Sequence, residues 1–200
     1  MSDERRVAHS LAEVYLYLLA TPCPACGKGP LEGTDPEEVE EPPRVRMTVT
    51  ARCRACHAER AMEFALPEGK GTDADGGPPV FNPTDAPSEI VDVAQWIVLF
   101  GTITEAAGRE SDRQEARRPG LEAAQCLDEA LKFFTDPESD VPPPEAFRLE
   151  SSKARFREHP QFFSRQRLIG LRGKLPALSK MRSRVAQSPN KPRRWWRPGR

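Results

Sequence analysis

The spacing of apolar residues divides the chain into a first part with strand character and a second with helical character. Near the start, apolar residues recur every three or four positions, which predicts an amphipathic helix over residues 4–19. The period then changes to two: apolar and polar residues alternate over residues 45–50, which predicts a strand leading into Cys53. Residues 61–66 are its predicted partner strand, and residues 32–43, rich in Glu and Pro, predict a solvated acidic loop.

The second part of the chain predicts helices. Residues 67–87 hold four glycines, five prolines and three aspartates, which is typical of a linker. A helix is predicted from about Ser88 to Arg109, with Asp85 as its cap and Pro87 in its first turn. Its apolar residues cover more than one face, so we expect it at the centre of a helical domain.

Further helices follow this central one. Ser111-x-x-Gln114 has the form of a capping box, and the apolar stripe after it is split or kinked at Pro119-Gly120. Proline residues introduce a helix over residues 145–158, and Pro160 opens another. From residue 176 the chain is basic and without periodicity, which predicts a disordered tail.

These elements predict an α+β protein. A small N-terminal β unit preceded by a helix occupies residues 1–66, and the linker occupies residues 67–87. A small helical domain over residues 88–175 and a basic tail over residues 176–200 complete the chain. Hydrophobic residues make up only 38% of the 200 residues, and 21 are proline, so core-forming material is limited.

Charge is distributed unevenly, although the formal net charge is zero. Residues 1–150 carry 15 Lys and Arg against 29 Asp and Glu, whereas residues 151–200 carry 15 against one. The sequence therefore predicts an acidic body with a strongly basic end, which attracts polyanions.

Four of the five cysteines form two C-x-x-C pairs: Cys23 with Cys26, and Cys53 with Cys56. Zn²⁺ binds four thiolates tetrahedrally, and a C-x-x-C turn lets both sulfurs of a pair reach one ion. The odd number of cysteines and the absence of an export signal favour metal ligation in a reducing compartment, so we expect a cytoplasmic protein with one structural zinc. No stretch approaches the length of a membrane span.

The two pairs carry a resemblance to a known family. Cys23-Pro-Ala-Cys26-Gly27 closely resembles the knuckles of the zinc-ribbon superfamily, and Cys53-Arg-Ala-Cys56-His57 is similar to the second knuckle but lacks the glycine. The resemblance covers residues 23 to about 66 and implies a β ribbon around one zinc ion, with no particular activity. The helical remainder resembles no family.

Three other interpretations of the cysteines fit the sequence less well. Cys53-x-x-Cys56-His57 matches a c-type haem attachment motif, but haem attachment leaves the first pair without a role. A redox dithiol needs a thioredoxin-like context, which is absent around both pairs. Catalytic zinc needs an open coordination position, which four thiolates do not leave.

Other chemistry-bearing residues favour structural roles. Cys126 lies in a predicted helix among apolar neighbours, as a small buried hydrophobe would. His9 and His159 are isolated in the sequence, without catalytic partners nearby. Because no phosphate-binding, nucleophile-elbow or metalloprotease motif is present, we expect a protein that is not an enzyme.

The C-terminal tail is the second candidate site. Two tryptophans lie among arginines there, in the run Arg193, Arg194, Trp195, Trp196 and Arg197. This composition predicts contact with RNA or single-stranded DNA, with an acidic protein surface including that of the chain itself, or, less favoured, with an anionic membrane. We therefore expect a zinc-ribbon adaptor or binding protein; the alternative is a subunit or regulator of a larger enzyme complex, engaged through the helical domain.

Overall fold

The computed structural model describes residues 6–34, 36–67, 80–109 and 117–175. The strands come first: β1 (Arg6–Val7), β2 (Leu31–Gly33), β3 (Glu37–Glu41), β4 (Arg44–Cys53) and β5 (Glu59–Pro67), with helix α1 (Leu11–Ala20) between β1 and β2. Helices follow: α2 (Val93–Gly108), α3 (Arg117–Leu131), α4 (Glu150–Glu158) and α5 (Arg165–Arg172), with short 3₁₀ helices at Pro144–Ala146 and Pro160–Phe163. The predicted α+β class is confirmed, and the predicted tail lies outside the described residues.

Strand β4 is the centre of the sheet. It pairs antiparallel with β5 on one edge, and with both β2 and β3 on the other. The short strand β1 runs parallel to β5 at the far edge. Both predicted strands are therefore present, each longer than its apolar alternation alone indicated.

The predicted acidic loop over residues 32–43 is wrong, because β2 and β3 occupy most of it. Strand β3 pairs with the first half of β4, placing Glu41 opposite Arg44 and Val39 opposite Arg46. Glu41 also forms an ion pair of 3.0 Å with Arg46. Because this strand is mainly exposed and nearly all glutamate, it lacks the apolar alternation that identifies a strand. Acidic side chains on an edge strand also oppose edge-to-edge aggregation.

Helix α1 begins at Leu11 rather than at residue 4. The side chain of Ser10 accepts a hydrogen bond of 3.0 Å from the Glu13 backbone N–H and caps the helix. The chain before Ser10 is extended because β1 hydrogen-bonds to β5. This pairing partner is present only in the folded sheet. The Ser10 hydroxyl in turn donates to the backbone carbonyl of Phe81, 2.6 Å away.

Helix α1 packs against the sheet at a glycine. A β-carbon on Gly33 would lie 2.9 Å from side-chain atoms of Leu18 and of Val49, and 3.0 Å from a ring atom of Tyr15. These distances are too short for non-bonded carbons, so only glycine lets α1 approach this closely. The contact places the end of α1, and hence the cysteine turn that follows it, over the sheet.

Helix α2 begins at Val93, and Asp92 is its cap; the predicted cap, Asp85, is exposed. Asp92 and Gln95 form a capping box, in which the Asp92 carboxylate accepts from the Gln95 N–H at 2.9 Å. The other carboxylate oxygen accepts from the backbone N–H groups of Arg148 and Leu149, at 3.1 and 3.3 Å. A buried side chain thus joins α2 to the segment that precedes α4.

Two further predictions about the helices need correction. Pro119 and Gly120 lie in the first turn of α3, where a proline is tolerated, and do not split it. The predicted helix over residues 145–158 begins only at Glu150, because Pro144–Ala146 forms a 3₁₀ turn and the backbone is extended after it.

One hydrophobic cluster contains residues from both the sheet and the helices. Phe81 stacks on Trp96 with ring centroids 6.0 Å apart, and Gln95 donates to the Thr21 hydroxyl at 3.2 Å. The division into two domains at residues 67–87 stays a prediction, since the structure describes only part of that segment. Within the described ranges, no helix has the length and apolar character needed to cross a membrane.

Candidate metal centre

Two turns bring the four predicted cysteine ligands together. The first turn follows α1 and carries Cys23 and Cys26; the second joins β4 to β5 and carries Cys53 and Cys56. The sulfur atoms of Cys23 and Cys56 are 3.7 Å apart, as are those of Cys26 and Cys53. All four sulfurs lie within 4.8 Å of one another. The short contacts cross between the pairs, so the thiols form one group rather than two separate dithiols.

The group fits one tetrahedral metal ion. Zn–S bonds of about 2.3 Å at tetrahedral angles require sulfurs about 3.8 Å apart, close to the two shortest distances observed. The donors are sulfur alone, and soft thiolates favour zinc over magnesium or calcium. In the described parts of the chain, this is the one group of three or more Cys, His, Asp or Glu side chains with ligand spacing.

The two turns share one backbone design. In the first, the Cys23 N–H donates to the Lys28 carbonyl and the Gly27 N–H donates to the Cys23 carbonyl at 2.8 Å. In the second, the Cys53 N–H donates to the Ala58 carbonyl and the His57 N–H to the Cys53 carbonyl, both at 2.9 Å. Gly27 has a φ of 67° and His57 a φ of 61°. The second knuckle, which lacks a glycine, therefore adopts the same turn with histidine in the left-handed conformation.

This design predicts opposite effects for two substitutions. Gly27→Ala is expected to destabilise the metal-loaded protein by about 1 kcal/mol, because a side chain disfavours positive φ. A β-carbon there has no atom within 4 Å, so the cost comes from the backbone alone. His57→Gly is expected to stabilise it by up to about 1 kcal/mol. Urea unfolding of both metal-loaded variants checks the signs, and a destabilised His57→Gly would show that the histidine ring has a role of its own.

The thiols differ in acidity. Hydrogen bonds from the backbone N–H groups of Cys56 and Ala55 lower the pKa of Cys53 to about 6. The Ala55 N–H lies 3.4 Å from the Cys53 sulfur. The pKa of Cys56 is also lowered by the Ala58 N–H, but the neighbouring thiol of Cys26 and burial outweigh this and raise it to about 12. The thiolate is the form that binds a metal, so these hydrogen bonds favour ligation by Cys53.

A groove of about 310 Å³, lined mainly by apolar residues, includes Cys23 of the four-cysteine group. Its walls come from the first knuckle, including Pro24 and Ala25, and from Leu31 and Met62 of the sheet. Glu59 and Arg60 contribute its charged groups, and the groove includes no histidine.

Neither His9 nor Cys126 adds a second reactive site. The prediction that His9 is isolated is wrong, because its Nδ1 lies 3.2 Å from a carboxylate oxygen of the buried Glu13. That hydrogen bond raises the pKa of His9. Cys126 is fully buried in α3, as predicted, and burial raises the pKa of its thiol well above its usual value.

Sequence reasoning missed two buried carboxylates, Glu13 and Asp92, of which Asp92 joins α2 to the segment before α4. Both have a local signature that could have found them: Ser10-x-x-Glu13 and Asp92-x-x-Gln95 match the capping-box pattern. The second predicted site, Arg193, Arg194, Trp195, Trp196 and Arg197, lies outside the described residues.

The comparisons with known proteins give no identification: no family model, curated protein or solved structure matches this chain. The four-cysteine group therefore carries the functional argument.

Helix α3 buries two further glutamates, Glu122 and Glu129. Burial raises the pKa of each to about 7, although Arg118 opposes this at Glu122 and Lys132 at Glu129. Each carboxyl therefore keeps its proton up to about pH 7 in the folded state, whereas it ionises above about pH 4.5 in the unfolded state. Its contribution to stability is therefore complete below pH of about 4.5 and is lost as the pH rises through about 7.

Glu122→Gln is expected to weaken this pH dependence. The loss of unfolding free energy between about pH 5 and pH 8 should shrink by about 2 kcal/mol, because glutamine cannot ionise. Urea unfolding across this pH range measures the slope. Glu129 remains in the variant and preserves a residual slope of the same sign; an unchanged total slope would mean that Glu122 is ionised in the fold at neutral pH.

Proposed function

We propose that the N-terminal part is a zinc ribbon with one structural Zn²⁺ held by Cys23, Cys26, Cys53 and Cys56, and that the protein acts by binding rather than by catalysis. The observation that carries this proposal is the closed group of four thiols. Zn²⁺ bound there would supply stability to the two turns. With every tetrahedral position filled by sulfur, none is left for water or substrate.

The binding function is assigned to the basic C-terminal part of the chain. Its 15 basic residues against one acidic residue after position 150 favour a polyanionic partner, and nucleic acid is the partner that also uses the Trp195-Trp196 pair. The acidic first part of the chain repels a polyanion, since like charges repel, and so opposes contact of the polyanion outside the basic part. A cytoplasmic location agrees with reduced thiols that bind metal.

Two measurements on one preparation test the proposal. Metal analysis of the purified protein should give one zinc per chain, and a chain without zinc would overturn the zinc assignment. Binding to labelled single-stranded RNA and DNA should weaken steeply with salt and should weaken strongly on deletion of residues 176–200, which carry eight of the 15 basic residues after position 150. Binding that survives this deletion unchanged would remove the tail from the proposal, and exclusive binding to an acidic protein would replace nucleic acid as partner.

A second candidate function is that of a subunit in a larger complex, engaged through the helical domain. Helix α2 favours it, because Ile97, Phe100 and Ile103 are only partly buried by the chain itself. By contrast, Trp96 and Leu99 of the same helix are buried within the chain. Cross-linking followed by mass measurement from the native cell tests this candidate, and a strict monomer without a co-purifying protein would count against it.

A further inference from the structure

The turn between α4 and α5 presents one phenylalanine to solvent and its neighbour to the core. Phe163 is 1% exposed and packs edge-on against Phe147 and Phe156, with ring centroids 5.3 and 5.4 Å away. The adjacent Phe162 is 40% exposed. Burial of the first ring fixes the position of the second, so Phe162 is held outward by the packing of the core.

Hydrogen bonds on the other side of the turn hold it rigid. Asp140 accepts from the Ser164 hydroxyl at 2.6 Å and from the Gln166 backbone N–H at 2.8 Å. The Arg165 backbone N–H donates to the Asp140 carbonyl at 2.9 Å, and its guanidinium donates to the Asp136 carbonyl at 3.2 Å. An exposed aromatic ring on so fixed a backbone loses little conformational entropy when it binds a partner.

The exposed ring is flanked by an arginine and a histidine. The Arg167 guanidinium is 5.0 Å from the centroid of Phe162, and the His159 ring is 5.3 Å away. Ile169 on α5 is 53% exposed. Phenyl and guanidinium planes are both surfaces on which an unpaired base can stack.

Basic residues predominate in the chain segment that carries this turn, although the carboxylate of Asp140 also contacts the turn at Ser164. Residues 151–175 contain seven Lys and Arg and a single acidic residue, Glu158. Lys153 and Arg172 form ion pairs with Glu150 and Asp128. The remaining long cations include Arg155, Arg157 and Lys174, whose side chains are exposed.

We propose that the surface around Phe162, Arg167 and His159 binds single-stranded nucleic acid, with further contacts from the exposed cations Arg155, Arg157 and Lys174 near the ends of α4 and α5. Phe162 and Arg167 stack on bases, while the exposed Arg155, Arg157 and Lys174 contact phosphates. The inference deepens the proposed polyanion binding and rests on it, but places the base contacts on the folded helices rather than on the tail alone.

The chemistry favours a single strand over other partners. A duplex hides its base faces, so an exposed aromatic ring has nothing to stack on. Protein interfaces are depleted of charge around their apolar centre, whereas the Arg167 guanidinium lies over this ring. RNA and single-stranded DNA share the required base and phosphate chemistry, and the test includes both.

Substitutions of Phe162 in the full-length chain test the inference. The probes are labelled oligo(U) and oligo(dT) of about 12 nucleotides and a duplex of the same length, measured by fluorescence anisotropy at about 50 and 200 mM salt. Phe162→Leu keeps an apolar side chain but removes the aromatic ring, and should weaken single-strand binding about five- to 100-fold with an unchanged salt slope. Phe162→Tyr should restore binding. Val39→Ala, an equally exposed apolar residue on the acidic strand β3, is the matched control and should bind as wild type does.

A second full-length variant separates the surface from the tail. Replacing the eight Lys and Arg residues of positions 176–200 by serine should reduce the salt slope and leave the Phe162→Leu effect in place. If wild type and Phe162→Leu bind equally and only the tail variant loses binding, the surface around Phe162 is rejected as a binding site. The proposed nucleic-acid function would then stay intact. Failure of wild type to bind any polynucleotide would overturn both. Equal affinity for the duplex, or binding only to anionic vesicles or polyglutamate, would also reject the single-strand assignment.

Discussion

Cys53→Ser is expected to abolish stoichiometric metal binding and to unfold the two cysteine turns together with the adjoining ends of β2, β4 and β5. Cys53 is fully buried and its sulfur lies 3.7 Å from that of Cys26. It is also the thiol whose pKa the backbone N–H groups of Cys56 and Ala55 lower to about 6, which favours the thiolate. Structural zinc contributes about 10–16 kcal/mol to the folding of small zinc modules, and loss of one of four ligands removes a large part of that.

The measurement is metal content together with circular dichroism. Zinc should fall from one per chain to a small fraction in Cys53→Ser and in Cys23→Ser, the sheet signal should decrease, and the helical signal of α2 and α3 should largely persist. Cys126→Ala is the matched control: it also removes one thiol, but that thiol is buried in α3 and outside the cluster. Full zinc content in Cys53→Ser would reject the four-cysteine site, and equal zinc loss in Cys126→Ala would reject the choice of ligands.

The second large effect is expected at Asp92, far from the metal centre. Asp92→Ala removes the acceptor of three backbone N–H groups, those of Gln95, Arg148 and Leu149. The residue is fully buried, so these groups would lose their partner without gaining water. A lost cap costs about 1 kcal/mol, and each buried donor left unsatisfied adds about 1–3 kcal/mol, so we expect a loss of about 4 kcal/mol.

Urea unfolding checks this value, and Asp85→Ala is the matched control. Asp85 is an exposed aspartate at the position that the sequence pattern favoured as cap, so its removal should change stability by less than about 0.5 kcal/mol. Asp92→Asn keeps one side-chain oxygen and should lie between the two. Equal effects at Asp85 and Asp92 would contradict the assignment of the cap.

The cysteine spacing shows how far local chemistry predicts this molecule. Two C-x-x-C pairs require sulfurs that can meet at one ion, and the structure places all four within 4.8 Å. Gly27, the glycine of the first knuckle, takes a positive φ of 67°. The matching conformation of His57 could not be predicted, because histidine adopts it only where the hydrogen bonds of a second knuckle hold the turn.

The sequence by itself determined the ligand set, the order of strands before helices, and the strong division of charge, because each depends on residue types and short spacings. Tertiary structure decided the start of α1, the existence of β3 and the cap of α2. Strand β1 needs β5 beside it, the glutamates of β3 need the facing edge of β4, and Asp92 needs Arg148 and Leu149. These partners are distant in sequence or free of any apolar pattern, so the hydrogen bonds and burial that select each element exist only once the chain has folded.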